Sequence, residues 1–365
     1  VRMGGAEMKN GKTKRDQAGE NEGRRTLIGK GRKHRAIVFL LVSLVLLLLS
    51  GCTSETGTDE TEDEAQKLTV IGFSEVGAES DWRVANTESM KATFTEEKGY
   101  ELFFDDAKQK QENQIAAIRN FILQEADYIV LAPVVEEGWD GVLQEAKDAG
   151  IPVIVVDRMV KVENEDLFAA WVGSDFYEEG RKATVWLENY LNEQGRQHER
   201  IDILHVQGTE GSSAQIGRTK SLMEAIENHG SWRLIGSVPG EFTQAKTYEV
   251  VRDVLDAGKV PDVIYCENDN SMLGALQALD EKKITHGVNG RVIVISFDAS
   301  RSGLEACRDG QINLDVECNP DHGPRVEAII RALAEGKTPE KYCYVEETCF
   351  EPEDLSTEFI DARGY

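Results

Sequence analysis

Residues 128–158, YIVLAPVVEEGWDGVLQEAKDAGIPVIVVDR, contain one full repeat of the pattern that decides the fold. Two β-branched apolar runs, at 128–134 and 152–158, predict buried strands, and the amphipathic segment 139–149 between them predicts a helix. Gly150 follows that segment at the position where a helix ends. Apolar strands joined by a helix are typical of a parallel sheet that helices cover on both faces.

The same alternation extends in both directions from this repeat. The first series has predicted helices at 82–98, 111–125 and 139–149, and predicted strands at 68–74, 100–106, 128–134 and 152–158. A second series begins near Val172, with helices that include 177–194 and 214–228, and strands at 201–208, 232–238, 262–268, 291–299 and 312–318. Two such series predict an α/β protein with two doubly wound parallel-sheet lobes.

Composition supports two lobes and argues against one class of partner. The chain has 365 residues, of which 40% are hydrophobic, enough for two sizeable cores. Asp and Glu number 66 against 41 Lys and Arg, which gives a net charge of −25. Because affinity for nucleic acid depends on positive charge, we expect no nucleic-acid partner.

Residues 1–51 predict a signal peptide with a long basic leader. They hold 11 Lys and Arg against 4 Asp and Glu, and the basic KGRKHR precedes the apolar AIVFLLVSLVLLLLS at 36–50. This run is shorter than the roughly 20 residues that span a bilayer. Leu49-Ser50-Gly51-Cys52 then resembles a bacterial lipobox, which predicts lipidation of Cys52 and an extracytoplasmic protein anchored to the cell membrane. An uncleaved single-span anchor is the alternative.

Residues 52–66 are acidic and lack large apolar side chains, so we expect a flexible lipidated tether. Five cysteines follow, which allows at most two disulfides: Cys266, Cys307, Cys318, Cys343 and Cys349. Cys266 lies in an apolar run and is expected to be free and buried, whereas Cys343 and Cys349 are candidates for a local bridge. Since no paired C-x-x-C occurs, we expect no metal and no other cofactor.

Polar residues gather at the predicted strand ends, where parallel sheets bind ligands. The candidate ligand-binding residues are Trp82, Arg83, Asp106, Asp157, Arg158, Asp175, Arg218, Asn268, Asp298 and Glu317. Any one Asp or Asn here could be an ordinary helix N-cap, but the three arginines are not capping residues. Arg forks beside Asp acceptors suit the adjacent hydroxyls of a polyol, and a Trp face suits the C–H side of a sugar ring.

Catalytic motifs are missing from the sequence. It contains no G-x-S-x-G nucleophile elbow, no phosphate loop with its lysine and no His-rich metal motif. A pair of strand-end carboxylates could serve a glycosidase, and this alternative stays open. We nevertheless expect a binding protein that is not an enzyme.

Several segments resemble one family, the periplasmic sugar-binding proteins of the ribose and galactose group (type I solute-binding proteins), and within it the galactofuranose-binding branch of ABC importers. These segments are GFSEVGAESDWR (72–83), KQKQENQIAAIRNFI (108–122), CENDN (266–270) and VECNP (316–320). The resemblance extends from Leu68 to Tyr365. It implies two lobes joined by crossover hinge strands, with a sugar held between them and no chemistry performed.

The resemblance also implies lobe boundaries and site roles. The N-terminal lobe would comprise 67–173 plus 319–341, and the C-terminal lobe 174–318 plus 342–365. Trp82, Arg83, Asp106, Asp157 and Arg158 would bind from the first lobe and Arg218, Asn268 and Asp298 from the second, with Asp175 and Glu317 near the hinges. Glu75 stands where the family pattern has Gln, and Asp81 where it has Gly, which leaves the sugar open.

The expected function follows from this resemblance and from the leader. A monomeric, lipid-anchored solute-binding protein would capture a monosaccharide, galactofuranose-like or another aldose, and deliver it to the transmembrane permease subunits of an ABC importer. The alternative is a receptor subunit that presents the sugar to a membrane histidine kinase. A charged ligand is a further alternative, since three arginines could balance a carboxylate. A repressor is disfavoured, because residues 1–66 hold a leader and a tether in place of a DNA-binding region.

Overall fold

The computed structural model describes residues 67–365. The predicted signal peptide 1–51, the lipidation site Cys52 and the tether 52–66 lie outside the described residues. None of the helices in the described part combines the length and apolar character that a membrane-spanning segment requires.

Strands and helices alternate through most of the described chain. The strands are β1 (Thr69–Glu75), β2 (Tyr100–Asp106), β3 (Tyr128–Leu131), β4 (Val153–Val156), β5 (Ala170–Gly173), β6 (Ile201–Gln207), β7 (Trp232–Pro239), β8 (Val263–Cys266), β9 (Ile293–Asp298), β10 (Leu314–Glu317), β11 (Tyr342–Tyr344) and β12 (Cys349–Phe350). The α-helices are α1 (Asp81–Thr93), α2 (Gln111–Leu123), α3 (Asp140–Asp148), α4 (Phe176–Glu193), α5 (Ser213–Asn228), α6 (Gln244–Asp256), α7 (Asp269–Glu281), α8 (Arg301–Arg308), α9 (Gly323–Ala334) and α10 (Thr357–Arg363).

These strands form two sheets, each the centre of one lobe. The first has the order β11-β5-β4-β3-β1-β2 and the second the order β12-β10-β9-β8-β6-β7. Among the described strands, every pair is parallel except β10 with β12. The strand order reverses direction at β1 and again at β6, which confirms two doubly wound α/β lobes. Ligands of such sheets bind at the carboxyl ends of the strands, beside the point where the order reverses.

Each sheet is buried on both faces, which explains the continuous apolar runs. In β4, Val153 and Val155 pack into one hydrophobic cluster, while Ile154 and Val156 pack into the cluster on the opposite face. All four side chains are at most 1% exposed. A strand with alternate residues in two cores must be apolar at every position, because successive side chains point to opposite faces.

Within residues 67–365 the chain crosses between the lobes three times, at 174–175, 318–322 and 345–348. The N-terminal lobe was expected to end at 341, with residues 342–365 in the C-terminal lobe. The position of the third crossing corrects this boundary, because β11 (Tyr342–Tyr344) pairs with β5 of the first sheet. Trp171 N donates to Lys341 O (2.9 Å) and Val345 N to Gly173 O (2.9 Å), so β11 satisfies backbone groups that β5 would otherwise leave open.

Two other predictions are corrected. The helix predicted at 82–98 ends at Thr93, because Phe94 turns into the core and meets Tyr100 edge-on with ring centroids 5.1 Å apart. The candidate bridge between Cys343 and Cys349 is not formed, since these residues lie on different sheets, and all five cysteines of residues 67–365 are free. Cys266 is buried, as predicted.

Gly72 tests the close packing of β1. A Cβ atom there would lie 2.4 Å from the Phe121 ring, so Gly72→Ala should lower the free energy of unfolding by about 1–3 kcal/mol in urea denaturation. Gly141, in α3, has open space around its Cβ position. The control Gly141→Ala should therefore be neutral or stabilising by up to about 1 kcal/mol. Equal effects of the two substitutions would contradict this packing.

Candidate functional site

A narrow cavity lies between the carboxyl ends of the two sheets. Both lobes contribute side chains to it, and the chain crossing at 318–322 contributes one more. The lining residues are Glu79, Ser80, Trp82, Arg83, Asp157, Arg158, Phe176, Ala214, Arg218, Phe242, Asn268, Asp298 and Cys318.

Most of the residues predicted from strand ends meet in this cavity. They are Trp82, Arg83, Asp157 and Arg158 from the first lobe, and Arg218, Asn268 and Asp298 from the second. Each is at most 5% exposed, so the two lobes enclose them together.

Three predicted residues do not line the cavity. Asp106 is exposed and accepts a hydrogen bond from Lys108 N (2.8 Å) in the turn after β2. Asp175 is the N-cap of α4, so the simpler capping interpretation is correct there. Glu317, at the end of β10, accepts from Arg363 (2.7 Å) and from Thr348 N (3.0 Å), and so ties β10 and the third crossing to the C-terminal helix. None of these three side chains therefore faces the cavity with the other predicted residues.

Arg83 organises the first lobe's side of the cavity. Its guanidinium donates to Asp157 (2.7 Å), Glu75 (3.1 Å) and Glu79 (3.4 Å). Ser80 caps α1 by accepting from Arg83 N (3.2 Å), which fixes the first helical turn and directs Trp82 and Arg83 inward. The loop before α1 therefore contains both a helix cap and functional side chains.

Arg158 lies beside this cluster with fewer partners. One of its NH groups donates to Val134 O (3.0 Å), and its guanidinium lies 3.6 Å from Glu79 and over the Phe242 ring. Its buried Nε has no hydrogen-bond partner among residues 67–365, and neither does Glu79 Oε2. The cavity thus presents a donor and an acceptor that a bound ligand can satisfy.

Arg218 has the corresponding role in the second lobe. It donates to Glu179 Oε2 (2.7 Å) and Asp298 Oδ1 (3.3 Å). The two lobes have equivalent pairs. Arg83 lies on α1, which follows the first strand of its lobe, and pairs with Asp157 directly after the fourth strand, β4. Arg218 lies on α5, which follows the first strand of the second lobe, and pairs with Asp298 at the end of the fourth strand, β9. Asp157 has φ 58° and Asp298 has φ 109°, conformations that cost about 1–3 kcal/mol and persist only where surrounding structure enforces them.

The aromatic wall was only partly predicted. The Trp82 indole donates to Cys318 O (2.6 Å), which holds the ring against the second crossing. Phe176 and Phe242 add two further rings, and Arg218 lies over Phe176 at 5.4 Å. Sequence reasoning missed Glu79, Ser80, Phe176, Ala214, Phe242 and Cys318. Glu79 and Ser80 could have been found, because they belong to the loop that carries Trp82.

Burial changes the charge of the site. It raises the pKa of Glu75 to about 8, so below that pH this carboxyl is neutral and resembles the Gln that the family pattern has there. Burial also raises the pKa of Asp298. It acts in the same direction on Asp157, but Arg83 and Arg158 outweigh it and hold the pKa of Asp157 below its ordinary value. Asp157 therefore stays ionised and offsets positive charge of Arg83 and Arg158.

Hydrogen bonds between the lobes close the cavity from two sides. On one side Asp81 N donates to Asn270 Oδ1 (3.0 Å), and Ser302 Oγ donates to Asp81 Oδ2 (3.0 Å). On the other side Met159 N donates to Ser213 Oγ (2.8 Å). These contacts make the described structure a closed form.

The chain is similar to known binding proteins in sequence and in fold. A family model described as "Periplasmic binding protein domain" matches residues 71–346. The galactofuranose-binding protein YtfQ of Escherichia coli is similar to this chain, with 37% identity over 292 residues that cover 79% of this chain and 89% of the relative.

Two solved structures are similar as well. One is the periplasmic binding protein of the arabinose ABC transporter from Shewanella sp. ANA-3, bound to α- and β-L-arabinofuranose, with 39% identity, TM-score 0.75, and coverage of 81% of this chain and 95% of that chain. The other is a Mycobacterium smegmatis protein in complex with β-D-fucofuranose, with 35% identity, TM-score 0.75, and coverage of 80% and 97%.

Arg83→Ala tests the carboxylate cluster. The substitution leaves Glu79 and Asp157 without their shared cation and Glu75 without a hydrogen-bond donor, so it should lower the free energy of unfolding by about 3–5 kcal/mol at pH 7.5. The loss should shrink at pH 5, because carboxylates without a cation can take up protons there. The control Arg119→Ala breaks an exposed pair with Glu145 and should have little effect. A loss that is the same at both pH values would contradict the electrostatic explanation.

Proposed function

The chain belongs to the periplasmic binding protein family, and from this premise we propose that it captures a neutral furanose sugar between its two lobes and delivers it to an ABC importer. The observation that carries the proposal is the closed cavity in which three buried arginines are already paired with carboxylates. Since their positive charge is compensated, the site favours uncharged hydroxyl groups over an anion.

The chemistry of the cavity supports a sugar. Arg158 and Asn268 offer N–H donors, Glu79, Asp157 and Asp298 offer acceptors, and a hydroxyl can donate and accept at once. Trp82, Phe176 and Phe242 supply apolar faces for the C–H groups of a ring. We propose that the seven predicted residues that line the cavity, together with Glu79, contact the sugar.

The ring form is inferred from relatives. The names of the three similar proteins refer to galactofuranose, L-arabinofuranose and D-fucofuranose. L-Arabinofuranose and D-fucofuranose share the ring of D-galactofuranose and differ from it in the side chain at C4. We therefore propose a furanose of this configuration as the ligand.

Delivery and location complete the proposal. The Shewanella relative is a component of an ABC transporter, which supports a transport role over presentation to a histidine kinase. A permease that recognises the closed form would respond to the paired surfaces of the two lobes. Cys52 after an apolar leader supports attachment of the protein by lipid to the outer face of the cell membrane, and we propose that it acts there as a monomer.

Calorimetric titration with free D-galactose, D-fucose and L-arabinose tests the ligand class. At least one should bind saturably, while D-glucose and D-galacturonate should not. Arg158→Ala should abolish binding, because it removes a donor in the cavity wall, whereas Arg331→Ala, an exposed arginine on α9, should leave it unchanged. For [1-¹³C]galactose, the bound anomeric signal identifies the ring form. Binding of galacturonate without any neutral sugar would contradict the proposal.

Cys52→Ala tests the lipid anchor. Removal of the thiol removes the attachment point, so the variant should lose its lipid and appear in the soluble fraction after fractionation of the expressing bacterium. The control Cys343→Ala keeps the proposed attachment point and should remain with the membrane. A Cys52 variant that stays firmly in the membrane fraction would favour the uncleaved anchor instead.

A further inference from the structure

The three crossings between the lobes meet at one carboxylate, that of Glu347. This residue lies in the third crossing, between β11 and β12. Its Oε1 accepts from Ser174 Oγ (2.5 Å) in the first crossing and from Asn319 N (2.8 Å) in the second. A single side chain therefore bonds to both of the other segments about which the lobes would hinge.

Glu347, which is partly buried, also lies close to a fully buried carboxylate. Glu179, in the first turn of α4, is 1% exposed, and one of its carboxylate oxygens, one of Glu347 and Cys318 Sγ lie within 4.8 Å of one another. Glu179 Oε2 accepts from Arg218, which lines the cavity. Glu179 Oε1 has no hydrogen-bond partner among the described residues.

Two neighbouring buried carboxylates cannot both be ionised without a large cost. A proton on Glu347 removes that cost and supplies the missing donor to Glu179. The pKa values agree with this placement, because burial raises the pKa of Glu347 to about 9. Burial also raises the pKa of Glu179, but Arg218 and the neighbouring Glu347 carboxyl act against that rise, whereas Glu179 adds to the rise for Glu347, so the proton resides on Glu347.

We propose that Glu347 is a positioning residue for Arg218, which it orients through a proton shared with Glu179, and that this proton is taken up when the lobes close over the ligand. The inference rests on the proposed function, since it concerns the affinity of the same cavity. The hinge segments are thus connected to the cavity wall through the carboxyls of Glu347 and Glu179 and the guanidinium of Arg218.

Closure changes the surroundings of the pair because Cys318 belongs to both regions. It lines the cavity and lies against the two carboxylates. When the lobes separate, water that enters the cavity reaches this cluster, which weakens the burial that raises the pKa of Glu347. The pKa is then higher in the closed form than in the open form, so closure takes up a proton. Affinity should be greatest at low pH and should fall as pH rises towards 9.

Other charged and titratable groups also face the pair. Lys182 donates to Glu347 O (2.8 Å), and Arg218, Asp298 and Asp157 surround Glu179 on the cavity side. Burial raises the pKa of the Cys318 thiol well above its ordinary value and that of Cys349 to about 11, so both thiols stay neutral below pH 9. The pKa of Asp298 is raised too, so a variant of Glu347 is needed to isolate its contribution.

Titration calorimetry with D-galactose at pH 6, 7 and 8, in buffers of different ionisation enthalpy, tests the proposal. Wild-type affinity should fall by at least fivefold from pH 6 to pH 8, and binding should take up protons from the solution. Uptake of a single proton limits the fall in affinity to about tenfold per pH unit. Glu347→Gln keeps a donor towards Glu179 and should remove most of the pH slope and the uptake. The matched control is Glu346→Gln, a neighbouring exposed residue, which should behave as wild type.

The outcomes separate cleanly. Equal pH slopes in wild type and Glu347→Gln, or loss of wild-type binding in EDTA, which would indicate a metal ion at the cluster, would overturn the proposal. If Glu347→Gln does not fold, Ser174→Ala serves instead: it removes a bond that lowers the pKa of Glu347, so the steep region should move to higher pH.

Stability measurements without sugar keep this inference separate from the proposed function. Because the pKa of Glu347 is raised in the folded state, urea denaturation should show wild type losing more stability from pH 6 to pH 8 than Glu347→Gln. If no sugar binds to any variant but this difference is present, the proposed function fails and the shared proton stands. If the difference is absent as well, the shared proton is refuted.

Discussion

The burial of three guanidinium groups between the lobes is the constraint on which the rest of the structure depends. A buried cation without a partner costs several kcal/mol, so each arginine fixes the carboxylates around it. Arg83 joins the loop before α1 to the end of β4, and Arg218 joins α4 and α5 to the end of β9. These pairs set the shape of the cavity walls before any ligand arrives.

The two lobes solve this problem in the same way because they share a topology. In a parallel sheet all carboxyl ends lie at one edge, so a helix that follows the first strand begins at the same edge at which the fourth strand ends. Arg83 with Asp157 and Arg218 with Asp298 are therefore equivalent pairs. Both aspartates have positive φ, an energetic cost that the arginine bonds offset.

Charge compensation links this architecture to ligand choice. The site contains more carboxyl groups than arginines, yet burial raises the pKa of Glu75 to about 8, so one of the carboxyls around Arg83 is neutral at neutral pH. A surface whose arginines are paired with carboxyls provides oriented donors and acceptors, which suits hydroxyl groups. The hinge has a second neutral carboxyl. With the proposed proton on Glu347, the pair Glu347 and Glu179 carries a single negative charge beside Arg218.

Sequence alone determined the lobe architecture and most of the cavity wall, because a strand buried on both faces must be apolar and ligand-facing groups must follow the strands. It also marked Arg83, Arg158 and Arg218, which have no capping role. Only the tertiary structure decided that Asp106, Asp175 and Glu317 lie elsewhere, that Phe176 and Phe242 complete the wall, and that β11 joins the first sheet. Those outcomes depend on which backbone groups the crossings bring together, and contacts between residues far apart in sequence leave no local pattern to recognise.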